Sequence, residues 1–154
     1  MKKLLCFDMD GTIADLYGRE GWLEALRNED ERIYLGCNPM WNMDMLAYAL
    51  EELQKIGYEV AIITWLSKDS TEDFKDRTRE AKLEWLRNMG MPFDYFHGVQ
   101  YGTTKANTIR KYLDNYETAI LFDDNEKVRN GWTCGEAINP EEVDIVEYLL
   151  ALLD

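Results

Sequence analysis

Two acidic residues, Asp8 and Asp10, follow a short apolar run near the start of the chain. The run has the character of a buried β-strand, and residues two apart at the end of a strand share one face of the sheet. A carboxylate can attack phosphorus and form an aspartyl phosphate, which divides one difficult displacement into two easier steps. A second carboxyl group can protonate the leaving oxygen and then deprotonate the incoming water. The pair therefore has the residue types that phosphoryl transfer through a covalent intermediate requires.

Polar residues also end the later apolar runs of the chain. Thr64 ends the second run, Asp123 and Asp124 follow the fourth, and Lys105 begins a predicted helix near the same edge. Ligands of open α/β sheets bind outside the carboxyl ends of the strands, so these residues are expected to converge on Asp8.

The converging residues would form a metal site beside a phosphate site. Carboxylates of Asp8, Asp123 and Asp124 offer the hard oxygen ligands that Mg²⁺ prefers, and Mg²⁺ also binds phosphate and screens its charge. Side chains and backbone N–H groups would bind the phosphoryl oxygens. These phosphate-binding candidates are Thr64, Lys105, Met9 and Trp65.

Each of these residues also has a plainer interpretation. Asp8 and Asp10, followed by Gly11, could form an ordinary strand-end turn. Thr64 alone could be a structural hydroxyl, and Lys105 alone a solvated surface lysine. Asp123, Asp124 and Asn125 could form a helix N-cap cluster, which is compatible with metal binding. The convergence of these separate segments favours the functional interpretation.

The elements that must position these residues alternate along the chain. Apolar runs separated by segments of helical period predict a doubly wound, Rossmann-like α/β fold, with five parallel strands and helices on both faces. The predicted strands are residues 3–8, 58–64, 95–99, 119–122 and, with the weakest pattern, 135–138.

The predicted helices begin at recognisable capping residues. Asn38 and Pro39 resemble an N-cap and a first-turn proline, and Gly57 ends that helix. The second begins at a capping box formed by Ser70 and Asp73. The charge-rich run 68–87 within it is interpreted as a solvated helix face. The third helix begins near Thr103 or Thr104, and the last begins at Asn139 and Pro140.

The segment from about residue 14 to 38 interrupts this alternation. It is long for a connection directly after a first strand, and it carries Trp22, Leu23 and Leu26 at helical spacing. It could be a small cap over the site or an irregular connection, and the cap is the favoured interpretation.

Composition limits the class of protein. With 154 residues, 46% hydrophobic and 31% charged, the sequence predicts one folded domain, residues 1–154. No apolar run suits a membrane span or a signal peptide. Three cysteines without metal-ligand spacing fit a reduced, cytoplasmic protein. The formal net charge of −13 disfavours binding to extended nucleic acid, and requires local cations for any phosphorylated substrate.

Taken together, these motifs resemble the haloacid dehalogenase-like superfamily of phosphotransferases. The first motif of that superfamily, Asp-x-Asp-x-Thr after an apolar strand, matches Asp8, Asp10 and Thr12. The second matches Thr64, and the third matches Lys105. The fourth, an acidic pair, matches Asp123 and Asp124. The motifs occur in the order of the superfamily, and the resemblance extends over nearly the whole chain.

The resemblance implies a role for each matching residue. Asp8 would be the nucleophile and Asp10 the acid/base. The Mg²⁺ ligands would be Asp8, the Asp10 carbonyl and Asp123, with Asp124 a ligand or close support. The second Asp of the first motif is associated with phosphatases and phosphomutases. Trp65 departs from the pattern, because a small residue often follows the hydroxyl of the second motif.

The expected function is therefore a Mg²⁺-dependent phosphomonoesterase acting on a nucleotide or another small phosphorylated metabolite. The arrangement resembles 5′(3′)-deoxyribonucleotidases and the 3′-phosphatase domain of polynucleotide kinase-phosphatases, so action on a nucleic-acid end is the alternative. A signalling receiver domain shares the residue types, but its paired acids come first and its phosphorylated Asp later. A silent binding module would be expected to lose Asp8 or Asp10, and this sequence keeps both.

Overall fold

Strands and helices alternate along the part of the chain that the computed structural model describes, residues 2–154. A 3₁₀ helix, Arg110–Asn115, connects the fifth α-helix to the sixth strand. In chain order the other elements are β1 (Lys2–Phe7), β2 (Ala14–Asp15), α1 (Trp22–Arg27), α2 (Arg32–Leu35), β3 (Asn38–Pro39), α3 (Met43–Lys55), β4 (Tyr58–Trp65), α4 (Glu72–Asn88), β5 (Tyr95–Val99), α5 (Lys105–Ile109), β6 (Tyr116–Phe122), α6 (Glu126–Asn130), β7 (Ala137–Ile138) and α7 (Ile145–Ala151).

Five parallel strands form the main sheet in the order β5-β4-β1-β6-β7. The chain builds outward from β1 to β4 and β5, and then reverses to add β6 and β7 on the other side. This confirms the predicted doubly wound sheet. The carboxyl ends of β1, β4 and β6 lie side by side at the reversal, where Phe7 pairs with Ile62 and Phe122. Such a reversal opens a crevice for ligands.

Both faces of the sheet are covered, as the unbroken burial of β1 from Leu4 to Phe7 requires. Leu5 and Phe7 point into a core that includes Leu50 of α3 and Trp85 of α4. The alternate residues of β1 point into a second core on the opposite face. Its members include Leu4, Cys6, Ile109 and Trp132.

Two predicted helix starts are wrong, because chain pairing and a later cap override the local signal. Asn38 and Pro39 form β3, which pairs with β2, and α3 instead begins after Asn42, whose side chain accepts from Met45 N–H. The last helix begins after Asp144, which caps Glu147 N–H, rather than at Asn139 and Pro140. Proline fits the two-residue strand β3, because the two-stranded β2–β3 sheet loses only one backbone donor there.

The other helix signals are confirmed or shifted by one residue. The α4 helix begins after Thr71, whose hydroxyl accepts from Phe74 N–H, one residue beyond the predicted Ser70. Thr104 is the N-cap position of α5, as predicted. Gly57 follows α3 with φ +105°, a left-handed conformation that glycine adopts without strain.

The segment after β1 is a small insertion closed by the antiparallel β2–β3 pair. The helices α1 and α2 lie between these two strands. Apolar residues of the insertion, among them Ile33 and Tyr34, share a core with Trp85 of α4. Polar contacts add to this: Arg77 of α4 forms an ion pair with Glu31 at 2.6 Å, and the Glu29 carboxylate accepts two hydrogen bonds from Thr71, the N-cap residue of α4. The Trp85 indole N–H donates to the carbonyl of Cys37. The insertion is therefore fastened to the helix that follows β4.

Within residues 2–154, no helix combines the length and apolar character needed to cross a membrane. The three cysteines are free thiols, and Cys6 and Cys37 are buried.

Candidate active site

Asp8 and Asp10 occupy a tight loop at the carboxyl end of β1. The Asp8 N–H still donates to the Phe122 carbonyl of the neighbouring strand at 3.0 Å. The Met9 carbonyl then accepts from the N–H groups of three residues further along, which turns the chain sharply. Gly11 has φ +82°, and a Cβ there would collide with the Asp124 carboxylate and the Tyr17 ring. The loop therefore requires glycine both for its conformation and for space.

Lys105 and Thr12 fix the Asp8 carboxylate, one at each oxygen. The Lys105 ammonium lies 3.0 Å from Asp8 Oδ1 and 2.7 Å from Asp123 Oδ2, and all three residues are buried. Thr12 Oγ1 lies 3.1 Å from Asp8 Oδ2 and 3.4 Å from Asp124 Oδ1. Burial opposes the charge of Lys105, but Asp8 and Asp123 outweigh it and raise the pKa of the lysine. Lys105 is therefore held as a cation beside two carboxylates.

A second buried lysine, Lys82 of α4, holds the other carboxylate. Its ammonium lies 3.0 Å from Asp10 Oδ2, 2.7 Å from Thr64 Oγ1 and 3.1 Å from the Trp65 carbonyl, and its side chain is 0% exposed. Since the Thr64 oxygen accepts from Lys82, its own hydrogen remains available to a ligand. Thus Lys105 contacts the Asp8 carboxylate, and Lys82 contacts the Asp10 carboxylate.

The sequence prediction missed Lys82 because it lies in the charge-rich run 68–87. That run is not uniformly solvated, since α4 buries one stripe of its surface. A signal was present: Lys82 falls at helical spacing with the apolar residues of that stripe, so it lies on the buried face. The buried residues of α4 are Phe74, Thr78, Ala81, Lys82, Trp85 and Leu86.

Burial also acts on the protonation of Asp10. It raises the pKa of the Asp10 carboxyl, the nearby Asp8 charge adds to this, and Lys82 opposes it without cancelling the shift. A carboxyl group with a raised pKa holds its proton closer to neutral pH, which a general acid requires.

Asp8, Asp123 and Asp124 could hold a metal ion. One carboxylate oxygen from each lies within 4.8 Å of the others. Burial, followed by the charge of Asp8, raises the pKa of Asp123 to about 6 and that of Asp124 to about 7. The centre also holds four carboxyl groups and only two lysines, so its ionised carboxylates carry more negative charge than the lysines offset. A divalent cation would offset it, and the donor set of carboxylate oxygens fits Mg²⁺.

The predicted backbone contacts to phosphate lie beside this cluster. The Met9 side chain is buried, its carbonyl is used by the loop, and no acceptor for its N–H is found within residues 2–154. The Trp65 indole N–H donates to the Thr103 carbonyl at 2.8 Å, and the Lys105 ammonium lies 5.6 Å from the ring centroid. Trp65 therefore forms part of the wall of the site.

The buried centre opens into a cleft of about 1160 Å³, into which Asp8, Asp10 and Lys105 project. We use "buried centre" for the four acids with Thr64 and the two lysines: Asp8, Asp10, Asp123, Asp124, Thr64, Lys82 and Lys105. The insertion forms one side of this cleft. The insertion residues that line it include Leu16, Tyr17, Trp22, Leu23, Leu26 and Arg27.

No family model and no curated protein matches the sequence. Solved structures do match the fold. A haloacid dehalogenase-like family hydrolase from Streptococcus pneumoniae is 16% identical, with a TM-score of 0.54, and the alignment covers 99% of this chain and 91% of that one. The chain has the haloacid dehalogenase-like fold. The resemblance found in the motifs is thus confirmed at the level of the fold.

A structure of the Pnkp1/Rnl/Hen1 RNA repair complex shares the fold at 20% identity, with a TM-score of 0.57. The alignment covers 90% of this chain but only 42% of that one, so this chain spans less than half the length of its match. A heptose 1,7-bisphosphate phosphatase from Burkholderia thailandensis also aligns, with 15% identity, a TM-score of 0.49, and coverage of 88% of this chain and 75% of that one.

Within this haloacid dehalogenase-like fold, three polar residues of the sequence have structural contacts away from the cleft. The ring of His97 stacks on Tyr112, and its Nε2 lies 2.6 Å from the Tyr112 hydroxyl. Arg77 binds Glu31 and Asp73, and Arg79 donates to the Gly98 carbonyl and to Asp76. These contacts satisfy the two arginines.

Proposed function

We propose that this protein is a Mg²⁺-dependent phosphomonoesterase that acts through an aspartyl phosphate on Asp8. One observation carries the proposal: Asp8 and Asp10 have different partners within one buried centre. Asp8 contacts Lys105 and lies beside the other acids, whereas Asp10 contacts Lys82, which also contacts Thr64. Carboxyl groups in different environments can take different roles in the same reaction.

Asp8 is suited to attack phosphorus because its carboxylate is held at both oxygens. Lys105 donates to Oδ1 and Thr12 to Oδ2, so the group is oriented before a substrate arrives. The Thr64 hydroxyl and the Met9 N–H would bind the phosphoryl oxygens, as donors whose hydrogens have no acceptor among the contacts described above. Orientation of the nucleophile removes part of the entropic cost of the reaction.

Asp10 is suited to move the proton. Its raised pKa favours the protonated form, which can donate to the leaving alkoxide. Once the leaving group has departed, the resulting Asp10 carboxylate can accept a proton from water, and that water attacks the phosphorus of the aspartyl phosphate. The Lys82 ammonium, 3.0 Å from Asp10 Oδ2, would orient the group in both steps.

Asp8, Asp123, Asp124 and the Asp10 carbonyl would hold Mg²⁺, which would supply positive charge to the phosphoryl oxygens. This contribution matters in a chain with a formal net charge of −13, which otherwise repels a phosphorylated substrate.

The three free cysteines fit a reducing compartment, which supports the expected cytoplasmic location.

The substrate is proposed to be a nucleotide or a small metabolite of similar size. A cleft of about 1160 Å³ can admit such a molecule, and aromatic side chains of Trp22, Trp65 and Tyr101 line it. Likeness to a structure from an RNA repair complex keeps a nucleic-acid end as the second candidate.

The test is phosphate release from nucleoside monophosphates, sugar phosphates and a 3′-phosphorylated oligonucleotide. Each is assayed with Mg²⁺, with EDTA, and with Asp8→Asn. The matched control is Asp114→Asn, an exposed carboxylate outside the cleft. Turnover that requires Mg²⁺ and Asp8 but not Asp114 supports the proposal. Turnover that survives Asp8→Asn contradicts it, and so does the absence of turnover by folded protein across the panel.

A further inference from the structure

Three cations line the outer part of the cleft, and they come from three separate segments. Arg27 ends α1 of the insertion, Lys68 lies in the loop after β4, and Lys127 lies in α6. All three are exposed, and within residues 2–154 none forms an ion pair. Cations elsewhere on the helices, such as Arg77 and Arg79, are paired with carboxylates. Unpaired positive charge therefore lies at the opening of the site.

These cations are not needed by the transferred phosphoryl group. That group would be served by the buried centre, where Lys105 and Thr64 already lie next to the two carboxylates. Two acids, Asp69 and Glu126, also line the outer cleft, but neither is paired with the three cations among the described residues. The cations remain available to a second anionic group on the ligand.

Aromatic rings lie along the same part of the cleft. Tyr17 and Trp22 of the insertion pack edge to face at 5.0 Å, and Trp65 and Tyr101 of the sheet side pack at 5.0 Å. Tyr17 is 52% exposed and Tyr101 is 51% exposed, so each offers ring surface to the cleft. Exposed aromatic faces bind planar rings such as nucleobases by stacking. We use "cleft mouth" for these residues together: Tyr17, Trp22, Arg27, Trp65, Lys68, Tyr101 and Lys127.

We propose that the cleft mouth selects a nucleotide with a second phosphate besides the one that is removed. The inference rests on the proposed function, because it assigns the leaving group of that same reaction. The scissile phosphate enters the buried centre, the base stacks on the exposed rings, and the second phosphate meets Arg27, Lys68 and Lys127. The second phosphate can be terminal, as in a nucleoside 3′,5′-bisphosphate, or a phosphodiester, as at the 3′-phosphorylated end of a strand.

The kinetic test compares adenosine 3′,5′-bisphosphate with adenosine 3′- and 5′-monophosphates. We expect kcat/KM to favour the bisphosphate by about tenfold, since exposed ion pairs contribute little singly and more as a group of three. The triple variant Arg27→Gln, Lys68→Gln, Lys127→Gln should lose this preference, because its kcat/KM should fall about tenfold further for the bisphosphate than for either monophosphate. The matched control removes three exposed cations outside the cleft: Arg87→Gln, Arg110→Gln, Lys111→Gln.

Two outcomes overturn the inference. One is a wild-type protein that does not distinguish the bisphosphate from both monophosphates. The other is a cleft-mouth variant that loses activity equally on all three substrates, because its cations would then serve the scissile phosphate. The preference should also weaken as salt is added, whereas a preference based on shape would not.

A binding measurement separates this inference from the proposed function. Tryptophan fluorescence of the Asp8→Asn variant with Mg²⁺ reports affinity without turnover, since Trp22 and Trp65 line the cleft. Bisphosphate binding that is about tenfold tighter, and that depends on the three cations, supports the inference even if no substrate is hydrolysed. Equal affinity for bisphosphate and monophosphate overturns it. A 3′-phosphorylated dinucleotide that binds more tightly than the bisphosphate identifies a strand end as the source of the second phosphate.

Discussion

The buried centre and the cleft mouth differ in how completely their charged groups are paired. In the buried centre, each lysine contacts an acid of the centre within 3.0 Å, and Lys82 is wholly buried. In the cleft mouth, Arg27, Lys68 and Lys127 are exposed, and within residues 2–154 they have no ion-pair partner. The first region is organised before any ligand arrives, and the second leaves its charges free for one.

This difference indicates a division between chemistry and selectivity. Groups that are fixed before reaction can stabilise a transition state without reorganising, which suits the buried centre. Exposed, unpaired side chains can be substituted with little change in the free energy of unfolding, which suits residues that recognise a leaving group. Changes in the buried centre should therefore lower kcat or stability, and changes in the cleft mouth should alter substrate preference.

The largest effect is expected for Asp10→Asn. An amide cannot donate the proton or accept it, so kcat should fall by about 10²- to 10⁴-fold while KM changes little. The measurement is steady-state phosphate release beside wild type and Asp114→Asn. If the variant keeps its kcat and only its KM rises, Asp10 belongs to the binding groups, which would contradict its role as acid/base.

The next largest effect is expected for substitution of the two buried lysines, and the two variants should differ in their Mg²⁺ dependence. Lys82→Met leaves Asp10 without its ammonium partner and should lower the free energy of unfolding by about 3 kcal/mol. It should leave the Mg²⁺ concentration for half-maximal activity unchanged, because Lys82 does not contact Asp8 or Asp123. Lys105→Met should change that concentration, since Lys105 bonds both.

Denaturant unfolding and Mg²⁺ titration of both variants give the comparison, with Arg87→Met on the exposed end of α4 as control. Identical Mg²⁺ dependence in the Lys82 and Lys105 variants would show that the two lysines do not have separate roles.

The sequence predicted those parts of the buried centre that occupy element ends. Asp8, Thr64 and Asp123 each lie at the carboxyl end of a strand, and Lys105 begins a helix. Parallel sheet geometry brings such ends together without knowledge of side-chain contacts. Lys82 was missed because it lies within a helix, and its charge led to the prediction that it faces solvent. Its burial was indicated only by its helical spacing with the apolar residues of α4.

The two wrong helix starts have a shared physical cause. Asn38 and Asn139 both precede proline, which is a strong local signal for a helix N-terminus. At Asn38 the contact that decides the structure is made with Asp15, far back in the sequence. At Asn139 the side chain accepts from Glu141 N–H and forms a turn, and Asp144 provides the cap instead. Asn42 and Asp144, which cap α3 and α7, could be identified only once these competing contacts were known.

A smaller effect is expected in the pH dependence of stability without metal. Burial, followed by the charge of Asp8, raises the pKa of Asp123 to about 6 and that of Asp124 to about 7 in the folded protein, above the ordinary value of 3.8. At a pH between the unfolded pKa and the folded pKa, each of these carboxyl groups is protonated in the folded protein but ionised in the unfolded chain. The two groups therefore make the free energy of unfolding fall as the pH rises from about 4 to about 7.

Thermal unfolding in EDTA should show this fall as a decrease in Tm on the order of 5 °C, limited by water around the partly exposed Asp124. Mg²⁺ should restore the Tm near neutral pH, since it binds the ionised carboxylates. Asp124→Asn should flatten the pH dependence. A wild-type Tm that rises with pH over this range, and does not respond to Mg²⁺, would contradict the metal site.

The smallest effect is expected where the insertion joins α4. The Arg77–Glu31 pair is partly exposed, so a double-mutant cycle of Arg77→Gln and Glu31→Gln should give a coupling of about 0.5 kcal/mol. Since this pair lies outside the cleft, kcat should remain within about twofold of wild type. A large loss of kcat would show that the position of the insertion controls the buried centre, and would weaken the division between the two regions.

The most direct measurement of the central claim is the search for a phosphorylated Asp8. Asp10→Asn protein is mixed with a phosphorylated substrate and Mg²⁺, quenched in acid, and mapped by peptide mass spectrometry. With p-nitrophenyl phosphate as the substrate, the leaving group departs without protonation, so the variant can still form the intermediate but lacks the base to hydrolyse it. We therefore predict a phosphoryl group on Asp8 that hydroxylamine removes and EDTA prevents. A phosphoryl group on another residue, or turnover by the wild type with no adduct on Asp8 and undiminished turnover by Asp8→Asn, would contradict the mechanism.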